Sequence, residues 1–261
     1  MSEAVTYGEY LKIDELLGLQ QPRDEVEHDE MLFIVIHQVY ELWFKEVLHE
    51  LDYCIRLLGD GDVPRAQHTL KRVLTILKVL VSQLDILETM TPTEFLTFRE
   101  RLTSASGFQS DQFRALEFTL GKKSRAGVER FEEGSRARKD LEDRWSRPTL
   151  WDVVLRCLAR EGYAIPEAQL TRDVTEPIEP SAEVQAILVD IYRNDPGSAD
   201  LCERLVDLDE GLQEWRYRHV KMVERTIGMK PGTGGSAGSA YLRTTLNAPL
   251  FPDLWEIRAQ L

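Results

Sequence analysis

Apolar residues recur at intervals of three and four along most of this chain, grouped into stretches separated by short polar breaks, the signature of amphipathic helices. Over residues 29–58, Phe33, His37, Tyr40, Phe44, Val47 and Leu51 step along one side and predict one long helix. Its first half, 31–44, is apolar on nearly every side apart from His37, Gln38 and Glu41, the pattern of a helix buried all round and running through the middle of a fold. A turn over 59–64 resets the chain, and Leu70, Val73, Leu74, Leu77, Leu80, Val81, Leu84 and Leu87 predict an antiparallel partner ending near Glu88. Thr91-Pro-Thr-Glu94 combines a capping hydroxyl, a first-turn proline and a glutamate able to reach back, so a further helix opens there and ends near Leu102.

The pattern breaks at 104–107, resumes from Phe108, and stops at Gly121, a glycine placed for a left-handed turn. Residues 122–147 are dominated by charge with little apolar spacing and read as a solvated helix or excursion. Thr149-Leu-Trp-Asp152 is a second capping signature, opening a short helix to about Glu161. Ser181 starts an amphipathic run that Asp195-Pro-Gly197 ends. The last long helix, about 199–227 and ~45 Å long at 1.5 Å per residue, carries Leu205, Leu208, Leu212, Trp215, His219, Met222 and Thr226 on one stripe. A glycine-rich loop over 228–240 precedes a short amphipathic end. No period-two alternation, hairpin signal or repeat interrupts this, so the expected fold is all-α: one bundle-like domain over 1–261.

Composition narrows the function. Lys and Arg total 32 against 45 Asp and Glu, a formal charge of −13, so a nucleic-acid partner would meet a repelling body and is not expected. Three cysteines, Cys54, Cys157 and Cys202, form neither a disulfide framework nor a zinc knuckle. No apolar run reaches the ~18 residues of a membrane span and the first residues lack a signal-peptide pattern, so the expected setting is cytoplasmic, with no membrane.

Candidate chemistry gathers on the two longest helices. His37 and His219 each lie on an apolar side, where either alone fits a core imidazole hydrogen-bonded to a carbonyl. As a pair on facing helices they also fit ligation of a haem iron or another borderline metal. Without Cys-x-x-Cys-His, any haem is held non-covalently. A di-iron site needs Glu-x-x-His on two helices and only Glu46-Val-Leu-His49 fits, while His28 and His68 read as surface residues. Arg114, among Phe108, Phe113, Leu116 and Phe118, fits either an ion pair with a carboxylate or a bidentate grip on a substrate carboxylate. The glycine-rich loop is no Walker A motif; it fits a connector, or a mobile flap whose Thr233 and Ser236 settle on a polar ligand.

The block His28-Asp-Glu-Met-Leu-Phe-Ile-Val-Ile-His-Gln-Val-Tyr-Glu-Leu-Trp-Phe-Lys45 closely resembles the tryptophan 2,3-dioxygenase family. So do Tyr7-Gly-Glu-Tyr10-Leu, Ser106-Gly-Phe-Gln-Ser-Asp-Gln-Phe-Arg114, Trp215-Arg-Tyr-Arg-His219-Val-Lys-Met-Val-Glu-Arg and Gly232-Thr-Gly-Gly-Ser-Ala-Gly238, in the family's order. The resemblance implies an all-α homotetramer with haem b in each subunit, and O2 added across the indole C2–C3 bond of L-tryptophan to give N-formylkynurenine. His219 would be the proximal iron ligand, with Trp215 and Gly232 beside the haem. His37 would accept the indole N–H hydrogen bond, Phe33 would pack on the ring, Arg114 would clamp the carboxylate, and Thr233 would touch the amino-acid head from the flap. Tyr7 and Tyr10, in an arm over 1–25, would reach a neighbouring subunit's site. Relatives with the same motifs act as haem monooxygenases on modified tryptophans, such as methylated ones, in secondary metabolism, and the motifs alone do not separate the two outcomes.

Overall fold

A computed structural model describes residues 4–23, 26–233 and 238–261 of the 261-residue chain. In order, the helices are α1 (Tyr7–Leu11), α2 (Ile13–Leu17), α3 (His28–Asp60), α4 (Val63–Leu87), α5 (Pro92–Arg99), α6 (Asp111–Thr119), α7 (Arg125–Glu129), α8 (Arg136–Ser146), α9 (Leu150–Arg160), α10 (Glu167–Leu170), α11 (Ala182–Asn194), α12 (Pro196–Ile227), α13 (Ser239–Arg243) and α14 (Pro252–Glu256). Among the described residues there is no strand, as the absence of period-two patterning requires.

Local chemistry sets the boundaries. The Asp62 side chain accepts from Arg65 N to open α4, with Pro64 in the first turn. Thr91 with Glu94, and Thr149 with Asp152, form complete capping boxes on α5 and α9. Gly121 closes the segment after α6 at φ +108, the left-handed conformation expected of it. Two boundaries differ from expectation. Ser110 caps α6 by accepting from Phe113 N, so the helix begins at Asp111, after a separate 3-10 turn at Gly107–Gln109. Asp195-Pro196, expected only to stop a helix, also starts α12: Asp195 accepts from the Gly197 and Ser198 amides and the proline sits where no N–H is needed.

Three long helices form the frame. Tyr40 Oη donates to Leu80 O at 2.7 Å and Arg72 meets Glu50 at 2.6 Å, a register in which α3 and α4 run antiparallel. Gln67 meets Asp200 and Arg218 meets Asp85, so α12 runs parallel to α4. Both α3 and α12 pack along α4, burying Leu51, Leu58, Leu70, Leu80, Leu205 and Leu212. Truncating one such leucine to alanine costs ~2–5 kcal/mol. One expectation fails: α3 is not covered all round, since Met31 (41%), Val35 (37%) and Leu42 (51%) are exposed. None of the described residues closes over these three side chains. The charged stretch 122–147 is largely solvated but is not an excursion. Val128 and Leu141 are fully buried and Arg144 forks onto Asp52 at 2.9 and 2.7 Å, tying α8 to α3. So few buried apolar residues in each of these helices leave no period to read.

Candidate active site

Between α3 and α12 the frame opens into a cavity of about 280 Å³. One wall is the apolar side of α3, with Phe33, His37, Tyr40 and Phe44; the facing wall is Trp215, Arg216 and His219 of α12. Phe95 and Arg99 of α5, Arg114 and Glu117 of α6, and Gly232 and Thr233 of the glycine-rich loop complete it. Helical spacing explains the clustering: Phe33 and His37, like Trp215 and His219, are i,i+4 pairs and point the same way. The Phe33 and His37 rings lie 4.1 Å apart, and Trp215 stacks on His219 at 5.1 Å and 4°.

The two histidines differ in state. His37 Nδ1 lies 2.7 Å from Phe33 O. A carbonyl only accepts, so Nδ1 carries the proton and Nε2 keeps its lone pair. Burial lowers His37's pKa, against the Phe33 carbonyl and the Glu41 charge, which raise it. His219 has no hydrogen-bond partner among the described residues, and burial, aided by His37, lowers its pKa to about 4. It is a neutral imidazole with an uncommitted nitrogen in a cavity, the state a metal ligand requires.

Of the two readings open for Arg114, the structure shows the ion pair: its Nη1 donates to Glu117 Oε2, and Glu117 Oε1 accepts from Arg216 Nη2 at 2.8 Å. All three are largely or fully buried. Gly127 lets Arg114 lie there, since a β-carbon at that position would stand 3.1 Å from Arg114 Cδ. Arg99, which sequence patterning did not single out, lines the cavity together with Phe33 and Phe95, whose rings pack on each other. Its Nη2 donates to Pro231 O at 2.6 Å, while its buried Nε has no partner among the described residues. Thr233 Oγ1 donates to Ala105 O at 2.6 Å, holding the loop over the cavity with its own lone pairs left to accept. Ser236 lies outside the described residues.

No group of three or more metal-binding side chains occurs among the described residues, and His49, like His28 and His68, is exposed.

The tryptophan 2,3-dioxygenase family profile matches residues 1–148 and 138–261. The tryptophan 2,3-dioxygenase of Herpetosiphon aurantiacus is 59% identical over 262 residues, covering 100% of both chains. This chain belongs to the tryptophan 2,3-dioxygenase family. The proteins of that name from Anaeromyxobacter sp. (strain K) and Caulobacter vibrioides are 56% and 46% identical, covering 100% of this chain and 97% and 100% of theirs. Of the residues the tryptophan 2,3-dioxygenase motifs single out, the structure brings Phe33, His37, Arg114, Trp215, His219, Gly232 and Thr233 to one cavity. Tyr7 and Tyr10 are not among them; on α1 they are 76% and 79% exposed. Among the described residues no helix is long and apolar enough to cross a membrane.

Proposed function

We propose that this chain cleaves the indole C2–C3 bond of L-tryptophan with O2, giving N-formylkynurenine, with haem b held between α3 and α12. The observation that carries the reading is the pair of neutral imidazoles, His219 unpartnered and His37 with a free acceptor nitrogen, on facing walls of an aromatic cavity.

The residues fit the cofactor. His219 offers the iron a lone pair in a site where protonation is suppressed. Trp215 Nε1 and Arg216 Nη1 are buried donors without partners among the described residues, and Arg114, Arg216 and Glu117 sum to one positive charge. Buried donors and excess cation are what a porphyrin's carboxylates need. Haem, when bound, supplies the iron at which oxygen is activated.

Everything else is positioning. His37 Nε2 accepts the indole N–H and fixes the ring's orientation, while Phe33 and Phe95 pack on its face. We place the carboxylate grip at Arg99 rather than Arg114, because Arg114 is committed to Glu117 whereas Arg99, which lines the same cavity as Phe33, keeps a buried Nε without a partner among the described residues. Thr233 accepts from the ammonium group, so both substrate charges are paired on burial and the loop excludes water. The exposed Tyr7, Tyr10, Met31, Val35 and Leu42 are assigned to contacts between the subunits of a homotetramer, with the arm over 1–25 reaching a neighbour.

Mass spectrometry of the product from reduced, haem-loaded protein, L-tryptophan and isotopically labelled oxygen tests this. Two labelled atoms in a ring-opened product are expected. One atom, or turnover only of a methylated tryptophan, overturns the dioxygenase in favour of a monooxygenase.

A further inference from the structure

We infer that Glu117 is a positioning residue for the cofactor's carboxylates: it divides its two oxygens between Arg114 and Arg216 and thereby fixes where both guanidinium groups present their remaining N–H donors. The inference rests on the haem reading above.

Glu117 is buried, at 3% exposure, and each of its carboxylate oxygens is taken by a guanidinium group. Arg114 lies three residues before it on α6; Arg216 comes from α12, so the carboxylate joins two walls of the cavity that the chain brings together from 99 residues apart. Without it, two buried guanidiniums would face each other with no intervening negative charge, and repulsion would drive them to other rotamers.

The trio is not neutral. Two guanidiniums share one carboxylate; nearby Lys122 has its pKa lowered first by burial and then by Arg216 and Arg114, against Glu117. A buried positive excess with an Arg216 Nη1 that has no partner among the described residues is a site completed by an anion, not a closed ion-pair network. Its place identifies the anion. Arg216 precedes His219 by three residues on the same helix, so the charge it awaits belongs to the group His219 holds. Arg99 stands on a different wall, with α5 and the loop, and serves the other carboxylate-bearing molecule. The cavity therefore has two anion grips, and Glu117 sets only one of them.

The test compares binding of haem with binding of its iron dimethyl ester, which lacks free carboxylates, by Soret titration of the metal-free protein. Glu117→Ala and Glu117→Gln are expected to weaken haem binding by roughly 10–100-fold, the usual scale for a residue that orients a ligating group. Binding of the ester is expected to stay within about twofold of wild type. Glu117→Gln keeps the side chain's shape, so the comparison survives if the alanine variant does not fold. In an Arg216→Gln background Glu117→Gln should add little, because the two act as one unit. Equal weakening of haem and ester, or no weakening of haem, overturns the inference. Wild-type protein that binds neither porphyrin, or a Soret band unchanged in His219→Ala, overturns the haem reading itself.

Discussion

On α12, two buried polar clusters stand about 15 Å apart along the axis, and they follow opposite rules. At Asp209, fully buried, one carboxylate oxygen accepts from Leu250 N, Phe251 N and Trp255 Nε1, and the other from Gln213. That cluster closes on itself and pins the C-terminal segment to the bundle. At 215–219 the same helix carries Trp215 Nε1, Arg216 Nη1 and the His219 ring, all without hydrogen-bond partners for those atoms among the described residues. Buried polar groups are paired almost everywhere in proteins. A helix that satisfies them at one level and leaves them open at another marks where the molecule spends stability on a ligand.

The contrast is broken most directly by exchanging which cluster is damaged. His219→Ala should abolish the Soret band on haem loading yet leave the thermal stability of the metal-free protein within about 1 kcal/mol, since no hydrogen bond is lost. Asp209→Ala should do the reverse: four donors, the buried Leu250 and Phe251 amides among them, lose their acceptor, costing ~3 kcal/mol or more in denaturant unfolding, while folded molecules still bind haem. Equal stability losses in the two variants would show that the open cluster is structural after all.

Acid should act on the open cluster through His219. His219's pKa falls from 6.5 to about 4 on folding. Between those values the unfolded chain binds a proton that the native state refuses, so the metal-free protein loses stability as pH falls from about 6.5 towards 4, by at most about 3 kcal/mol from this residue. Above 6.5 the contribution is flat. In His219→Ala that loss should shrink, read as a higher midpoint of unfolding at pH 5 than wild type.

How far the sequence reaches follows the same division. Period and capping residues give α3, α4, α5, α9 and α12, because a long apolar stripe and a Thr-x-x-Glu or Thr-x-x-Asp box are local properties. His37 and His219 stand out because a histidine interrupts an apolar face. Arg99 does not, since it ends the eight-residue α5 and acquires meaning only when the loop 130 residues later folds onto it; the Pro231 carbonyl is invisible to periodicity. Arg114 was legible as an arginine with two fates, and Glu117, i+3 on the same helix, was the available sign that the ion pair would claim it. The motif blocks carry family membership, but the clamp they imply is Arg114, and they do not single out Arg99.

That choice is a prediction. Arg99 is half open, one donor held by Pro231 and its Nε without a partner among the described residues, as expected of a group that exchanges a weak partner for a substrate. Arg99→Gln should raise KM for L-tryptophan by roughly 100-fold, ~2.7 kcal/mol, with the Soret band intact. Arg114→Gln should leave KM nearly unchanged and weaken haem binding instead. A large KM effect at 114 and none at 99 would return the clamp to Arg114.

His37 sits between the two rules, and its expected effect is the smallest. One ring nitrogen is satisfied within its own helix and the other is open to the cavity. If the open nitrogen only orients the indole, His37→Ala loses one neutral hydrogen bond, and kcat should fall about tenfold, ~1.4 kcal/mol, with haem retained. If it removed the indole proton, the loss would be 10²–10⁴-fold. The lowered basicity of His37 argues for the first outcome, because burial makes it a poor proton acceptor while leaving it a good hydrogen-bond acceptor. A kcat loss beyond ~100-fold with an unchanged Soret band would move His37 from an orienting group to a base.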